Sequence, residues 1–273
     1  MRKLRLDLEY EGTCYHGWQL QSNAITIQQV AEEALHRILG ETCRLVGAGR
    51  TDAGVHAFGQ VAHAFTTRSL DGESLRRALN SLLPEDIVVL AVREVPESFH
   101  ARKSALKKRY EYWILNDPMP SALHHRFCWH LRMPLNTGRM AGAARYLLGE
   151  HDFSSFQASG CESADHPVRE ICALEIETFH ERFIRVAVEA HSFLRHMVRN
   201  IVGTLVEVGL GRIPEESVQR ILEARDRRKA GRTAPAKGLF LQWVCYEGEG
   251  SGGSSSERSL FARSRKDIRT PPS

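Results

Sequence analysis

The stretch Leu4-Arg-Leu-Asp-Leu-Glu-Tyr10 alternates apolar and charged residues with a period of two. This alternation predicts a β-strand with one face in the core and the other face in water. Further along, apolar residues recur at helical spacing from Ile27 to Leu39, with Thr26 and Gln29 resembling a capping box and Gly40 a C-terminal stop. The chain is therefore predicted to begin with a strand and to continue with an amphipathic helix.

Strand and helix signals go on alternating along the chain. Helices are predicted at 75–83, 140–148 and 194–205 and after Pro214, and strands at 87–95, 110–115, 171–178, 183–190 and 239–246. We predict an α+β fold in which two halves, 1–116 and 117–246, form one extended, mainly antiparallel sheet with helices on one side. The stretch 247–273 is rich in Gly, Ser and charge, and is predicted to be a disordered tail.

The composition excludes several classes of protein. Hydrophobic residues make up 42% of the 273 residues, which is ample for a core and excludes wholesale disorder. The longest apolar run covers only 87–92, whereas a membrane span needs roughly 18 residues. The charged N-terminus lacks the apolar region of a signal peptide, and the 6 cysteines include no CxxC pair. We expect a soluble, cytoplasmic protein with free thiols.

The net charge of +4 says little, but the basic residues comprise 30 Arg and only 7 Lys. Arginine suits phosphate recognition because its guanidinium is a planar fork, although a GC-rich genome also raises the Arg content. Two basic clusters fit either an electrostatic footprint for nucleic acid or ordinary solvated faces. They are Arg102, Lys103, Lys107, Lys108 and Arg109, and Arg225, Arg227, Arg228, Lys229 and Arg232.

The most unusual segment is Gly47-Ala-Gly-Arg-Thr-Asp-Ala-Gly-Val-His56, in which glycines surround Arg50 and Asp52. It fits neither the Walker loop nor the GxGxxG pattern. One interpretation is a simple turn in which Asp52 accepts a hydrogen bond from a nearby amide. The other is a carboxylate held on a rigid loop, with Arg50 nearby to bind phosphate or to keep Asp52 ionised.

This segment, with the following Phe58-Gly-Gln-Val-Ala-His63, resembles the signature of the TruA-type tRNA pseudouridine synthases. Further blocks match in the expected order and extend the resemblance over roughly residues 3–246. They are Asp7-Leu-Glu-Tyr-Glu-Gly12 with Gly17-Trp-Gln19, Phe99-His-Ala-Arg102 with Lys108-Arg-Tyr-Glu-Tyr112, Gly149-Glu-His-Asp-Phe153 with Phe156, Phe193-Leu-Arg-His-Met-Val-Arg-Asn-Ile-Val-Gly203, and Thr233-Ala-Pro-Ala-Lys-Gly-Leu239.

The resemblance implies a role for four matching residues. Asp52 would be the essential catalytic carboxylate, and Arg199 would pair with it and keep it charged. Arg50 would help to open the RNA stem and fill the space of the extruded base, and Tyr110 would stack on the target uracil. The resemblance also implies ferredoxin-like-related halves, a tRNA substrate modified at uridines 38 to 40 of the anticodon arm, a homodimer, and no metal or organic cofactor.

These residue types suit the implied reaction. Pseudouridine formation breaks the N1–C1′ bond, rotates the uracil and rejoins it through C5, which requires one ionised carboxylate and no redox partner. The carboxylate could add to C1′ or to C6, or remove the C2′ proton, and the sequence does not choose among these routes. The base must first be flipped out at a cost of a few kcal/mol. Stacking on Tyr110 would recover about 1–3 kcal/mol of that.

Plainer interpretations exist for each residue. Tyr110 could be core filler on its strand, and Arg199 could be a surface residue one helical turn after Arg195. A zinc site at His124, His125, Cys128 and His130 would need a second ligand pair. Paired glycosidase carboxylates are conceivable at Glu9 and Glu11 near Asp7, but charge patterning explains that spacing more simply.

Two other functions remain open for the whole chain. The first is a non-catalytic tRNA-binding or chaperone protein on the same scaffold. The second is a carboxylate-dependent hydrolase of nucleosides or glycans, which would act on a small substrate. A tRNA enzyme or binder should lose affinity steeply as salt rises, whereas such a hydrolase should not.

Overall fold

A computed structural model describes residues 1–158 and 166–249. Within these residues the strands are β1 (Arg2–Tyr10), β2 (Val46–Gly47), β3 (His56–Thr66), β4 (Ile87–Val95), β5 (Lys107–Asn116), β6 (Trp129–Leu131), β7 (Gly149–Asp152), β8 (Val168–Phe179), β9 (Phe183–Ala190) and β10 (Leu239–Cys245). The α-helices are α1 (Ile27–Leu39), α2 (Gly72–Leu82), α3 (Thr137–Ala144), α4 (Met197–Gly209) and α5 (Ser217–Ala224).

The strands form one sheet in the order β4-β1-β3-β10-β5-β9-β8-β7, with β2 paired to β3 and β6 paired to β5. The pairings of β10 with β3 and of β5 with β6 are parallel, and the others are antiparallel. The predicted mainly antiparallel sheet is therefore confirmed. The last strand lies in its middle, which explains why β10 is apolar along most of its length. The division at 116 and the ferredoxin-like relationship of the halves stay predictions.

The helices cover one face of the sheet, as predicted. Buried residues of all five helices share one core with Tyr110, Tyr112 and Ile114 of β5. The alternate residues Trp113 and Leu115 belong to a smaller cluster that contains no helical residue among those described. Since side chains alternate along a strand, β5 contributes to both clusters.

The charged face of β1 is less open to water than its alternation predicts. Arg5 is only 8% exposed because its guanidinium lies over the ring of Tyr246, with 4.7 Å to the ring centroid. Arg5 also pairs with Asp7 and with Glu249, so the turn at 247–249 is held against the sheet although it begins the predicted tail. The rest of that predicted tail, 250–273, lies outside the described residues. The prediction that the charged face of β1 is exposed to water is wrong at this point, because a later segment of the chain covers the strand.

Local signals placed the helices within a few residues. The Thr26 hydroxyl accepts a hydrogen bond from the Gln29 amide at 3.3 Å, and Gly40 ends α1 in the left-handed conformation. Only half of the capping box forms, because the Gln29 side chain bonds Glu33 instead. In the described part of the chain, no helix is both long and apolar enough to cross a bilayer. The five cysteines at 14, 43, 128, 172 and 245 are free, as expected, and Cys161 lies outside the described residues.

Candidate active site

The loop between β2 and β3 carries Asp52, and hydrogen bonds from several directions hold it. The amide of Ala48 donates to Val61 O at 2.7 Å, and Thr51 O accepts from the amide of Trp18 at 3.1 Å. The Asp52 carbonyl accepts from Val55 at 3.1 Å, which closes the turn. Among the described residues, no backbone amide donates to the Asp52 side chain, so the simple Asx-turn interpretation is wrong.

Buried polar side chains support the same loop from below. The hydroxyls of Tyr10 and Thr51 lie 2.8 Å apart, and the Gln60 amide donates to Gly49 O at 2.9 Å. Gly17 packs directly on the loop, because a Cβ there would lie 2.4 Å from Thr51 O. The segment is therefore a rigid platform, which is what precise placement of a reactive group requires.

The side chains of Asp52 and Arg199 are in contact although the two residues are far apart in the sequence. Arg199 Nη1 is 3.0 Å from Asp52 Oδ2, and Arg199 Nε donates to Ala234 O at 2.8 Å. The Arg199 side chain is only 15% exposed, whereas the Asp52 side chain is 25% exposed. The surface interpretation of Arg199 is thus wrong, because α4 begins at Met197 and its first turn packs against the site. The arrangement is a carboxylate held at one oxygen and open to solvent in part.

Tyr110 lies on the helix-covered face of β5 and is 8% exposed. Its ring meets that of Phe193 edge to face, with centroids 5.0 Å apart. The phenol faces the underside of the loop, since a Cβ on Gly49 would lie 3.6 Å from Tyr110 Oη. Burial raises the pKa of the Tyr110 phenol, and the nearby Asp52 charge raises it further. Tyr110 is therefore a neutral, largely buried aromatic ring beside the Asp52 loop.

Arg50 is exposed and does not pair with Asp52. Arg50 Nε donates to Gln19 Oε1 at 3.1 Å, and Gln19 in turn donates to the buried Gln28 at 3.0 Å. The bond to Gln19 uses only Nε of the guanidinium. Neither terminal amino group of Arg50 makes a hydrogen bond to any residue that the structure describes. They are free to bind a ligand, whereas Arg199 takes the place next to Asp52.

Two residues of the site were missed at the level of sequence. Lys108 is buried, and its ammonium donates to Ala48 O at 2.7 Å at the base of the loop. Burial lowers the pKa of Lys108 to about 8. The second residue is His196, whose Nε2 lies 3.4 Å from Asp52 Oδ2. Lys108 could have been found from the sequence, because residues two apart in a strand face the same side and Tyr110 is a predicted site residue. Nothing in the local sequence distinguishes His196 from an ordinary residue at a helix start.

Several residues of the two basic clusters have partners within the fold. Adjacent residues Lys108 and Arg109 point to opposite faces of β5, and Arg109 pairs with Glu189 at 2.7 Å. Arg227 is used internally, donating to Asn200 Oδ1 and to Thr233 Oγ1 at 2.9 Å. The neighbouring Arg225 and Arg228 also form ion pairs, with Asp152 and Asp226. Much of the basic charge is thus already compensated within the fold.

The alternative sites find no support in the described residues. There, no group of three or more His, Cys, Asp or Glu could hold a metal ion. His130 Nε2 instead bonds Asp117 O at 2.7 Å. On β1, Asp7 pairs with Arg5 at 2.7 Å and with Arg93 at 3.3 Å, as expected for charge patterning rather than a glycosidase dyad.

Comparison with known proteins assigns the chain to a family. The family model described as tRNA pseudouridine synthase matches residues 8–102 and 143–247. The tRNA pseudouridine synthase A of Thermoanaerobacter sp. (strain X514) is 50% identical over 246 residues, covering 90% of this chain and 100% of that protein. The proteins of the same name from Ruminiclostridium cellulolyticum and Myxococcus xanthus are 48% and 46% identical, each over 90% of this chain and over 100% and 92% of their own lengths. The chain therefore belongs to the tRNA pseudouridine synthase family.

Proposed function

We propose that this protein isomerises uridine to pseudouridine at positions 38 to 40 of the tRNA anticodon arm, with Asp52 as the catalytic carboxylate. The observation that carries the proposal is the contact of Arg199 with Asp52 Oδ2 at 3.0 Å on a loop fixed by many hydrogen bonds. Family membership supports the same reaction. A binding protein without catalysis would have no need of a carboxylate held in this way.

The chemistry requires few groups. The N1–C1′ bond of uridine breaks, C1′ joins C5 of the rotated uracil, C5 loses its proton and N1 gains one. Arg199 holds Oδ2 of Asp52, and Oδ1 makes no hydrogen bond or ion pair to any residue within 1–158 and 166–249. We assign Oδ1 as the atom that attacks C1′ or C6 or accepts the C2′ proton. A fixed group needs little reorganisation at the moment of reaction, which lowers the barrier.

The substrate base must leave the RNA stem to reach this carboxylate. Arg50 is exposed, and both terminal amino groups of its guanidinium are available, so it can occupy the gap that the base leaves and contact phosphate. The ring of Tyr110 lies beneath Gly49 and beside Phe193, where it can stack on an inserted uracil. Stacking of this kind offsets part of the cost of base flipping.

We further propose that the protein works as a homodimer in the cytoplasm, where bacterial tRNA is found. A single site presents limited surface, whereas two chains could contact both the body and the anticodon arm of one tRNA. A monomeric variant should then lose affinity for tRNA. Sedimentation that shows a fully active monomer would contradict this part of the proposal.

The substrate can be tested with tritium release from tRNA transcripts labelled at C5 of uracil, because product and substrate have the same mass. We expect release from a transcript with uridine only at positions 38 to 40 of its anticodon arm. A matched transcript with cytidine at those three positions and uridine elsewhere should release none. Equal release from both transcripts would contradict the assigned positions, and no release from either would contradict the proposed function.

A further inference from the structure

His196 and Arg199 contact the same oxygen of Asp52. His196 Nε2 lies 3.4 Å from Asp52 Oδ2, and Arg199 Nη1 lies 3.0 Å from that atom. The His196 side chain is 25% exposed, as is that of Asp52, so both reach the solvent side of the site. The two basic side chains therefore meet Asp52 at one oxygen and leave Oδ1 open.

The backbone of His196 adopts a conformation that is unusual for histidine. Its φ is 62° and its ψ is 3°, in the left-handed region, at the residue that precedes α4. The imidazole makes no capping hydrogen bond to the helix. Hydrogen bonds on either side keep the turn, from Met197 N to Leu194 O at 3.1 Å and from Asn200 N to His196 O at 2.9 Å. The chain thus places this side chain at Asp52 rather than at the helix end, and a non-glycine residue in that region is worth explaining.

Four charged groups act on the imidazole: Asp52, Arg199, Arg195 and Arg227. Burial lowers the pKa of His196, Asp52 raises it, and the three arginines lower it. The net direction is downward, so the ring is neutral at neutral pH. A neutral imidazole carries one N–H and one acceptor nitrogen. With the proton on Nε2, the N–H lies on the nitrogen that is 3.4 Å from Asp52 Oδ2.

We propose that His196 is a positioning residue that, together with Arg199, fixes Oδ2 of Asp52 and thereby presents Oδ1 to the substrate. This inference rests on the proposed function and adds a second support for its carboxylate. Arg199 alone would leave Asp52 free to rotate about its contact with the guanidinium. Two contacts from different directions restrict that rotation, and small displacements of a reacting group are costly for the rate.

The test compares His196→Gly with wild type, because glycine keeps the left-handed backbone and removes the imidazole. We expect kcat for tritium release to fall by about tenfold to a hundredfold. The KM for tRNA should stay within about twofold of wild type, since the binding surface is unchanged. Added imidazole should restore part of the lost kcat, and His196→Gln, which keeps an N–H donor, should retain more activity than His196→Gly.

The matched control is His180→Gly, which makes the same change at a left-handed residue (φ 47°) in the turn between β8 and β9. It should leave kcat within about twofold of wild type, since it does not touch the site. If His196→Gly fails to fold, His196→Asn replaces it. Asparagine tolerates the left-handed region and can cap α4, but it is too short to reach Asp52.

A folded His196→Gly or His196→Asn variant with the wild-type kcat would overturn the inference. So would a loss of kcat that neither imidazole nor glutamine restores, because a merely structural role would have that effect. If the wild-type protein releases no tritium, the proposed function fails and this inference fails with it. An active wild type beside an unaffected His196→Gly variant overturns this inference alone.

Discussion

Asp52 and Arg199 are 147 residues apart in the chain, yet their side chains meet at 3.0 Å. The sheet makes this contact possible, because β10 lies between β3, which follows the Asp52 loop, and β5. Ala234, just before β10, exchanges hydrogen bonds with Arg199 through Ala234 N to Arg199 O at 3.1 Å and Arg199 Nε to Ala234 O at 2.8 Å. The final strand therefore links the two halves of the site.

Replacing Arg199 should affect the rate more than the fold. Lysine keeps the positive charge but cannot contact both Asp52 Oδ2 and Ala234 O with the fixed geometry of a guanidinium. We expect Arg199→Lys to lower kcat by about tenfold to a hundredfold. The control is Arg212→Lys, at an exposed arginine that pairs with Glu207. Single-turnover kinetics measure the rate of the chemical step in both variants. A wild-type rate in Arg199→Lys would show that the ion pair is not needed.

Two glycines with the same φ of 88° separate backbone strain from close packing. A Cβ on Gly17 would lie 2.4 Å from Thr51 O, whereas a Cβ on Gly149 would meet nothing within 4 Å. In both alanine variants, a non-glycine residue in this left-handed backbone conformation costs about 1–2 kcal/mol. Gly17→Ala should lose about 1–3 kcal/mol more of the free energy of unfolding, because the Asp52 loop must move.

Urea titration of both glycine variants measures this difference. Gly17→Ala should also have a lower kcat than Gly149→Ala, since Thr51 is the neighbour of Asp52. Equal stabilities and equal rates for the two variants would mean that Gly17 does not support the loop.

Stability should fall in mild acid because of a buried histidine away from the site. Burial lowers the pKa of His63 to about 4, and the charges of His100 and Lys3 add to this. His63 Nδ1 accepts from the Ala101 amide at 3.1 Å, which requires an unprotonated nitrogen. Between the ordinary value of 6.5 and about 4, the unfolded chain binds a proton that the folded protein does not, so the free energy of unfolding decreases as pH falls.

The variant for this prediction is His63→Asn, which offers an acceptor to Ala101 but does not titrate. Chemical unfolding measures the free energy of unfolding at pH 7 and at pH 5. Its decrease from pH 7 to pH 5 should be larger for wild type than for His63→Asn, by about 1–2 kcal/mol. His100 also titrates and is present in both proteins, so the difference between them isolates His63. Parallel pH profiles would contradict the assigned cause.

Arg50 should contribute to RNA affinity and not to stability. Its side chain is exposed and bonds only Gln19 among the described residues. If it contacts a phosphate, Arg50→Ala should weaken tRNA binding and reduce the slope of log Kd against log salt by about one. Arg76→Ala on α2 removes a partly exposed arginine that pairs with Glu73, and should leave the slope unchanged. Equal slopes for Arg50→Ala and wild type would exclude a phosphate contact.

Local patterns predicted the elements better than their arrangement. The bounds of β9 and the caps of α1 follow from side-chain period and turn chemistry, which are local properties. The central place of β10 depends on pairings between strands that are distant in the sequence, and no local pattern encodes these. Lys108 and Arg109 of one basic cluster have partners on opposite faces of the sheet. Neighbours in a strand face opposite sides of the sheet.

The candidate site, like the fold, could be predicted from the sequence only where the signal is local. The glycine-rich loop around Asp52 is visible in the sequence because Gly47 packs closely against Trp18 and Gly54 has a positive φ of 76°, both of which favour glycine. The contact of His196 with Asp52 was not predicted, because histidine carries no signal for a left-handed conformation at a helix start. Its position depends on the packing of α4 against a loop from the other half of the chain.

The most direct test of the central claim is single-turnover tritium release by Asp52→Asn, measured together with tRNA affinity. Asparagine has nearly the shape of aspartate but lacks its charge, and Asp117→Asn provides the matched control at a carboxylate that pairs with Arg182 on the surface. We expect Asp52→Asn to lose about 10³-fold or more in rate, with the Kd for tRNA within about threefold of wild type. Asp117→Asn should keep the wild-type rate. Release by Asp52→Asn at the wild-type rate would contradict the account and place the essential carboxylate elsewhere.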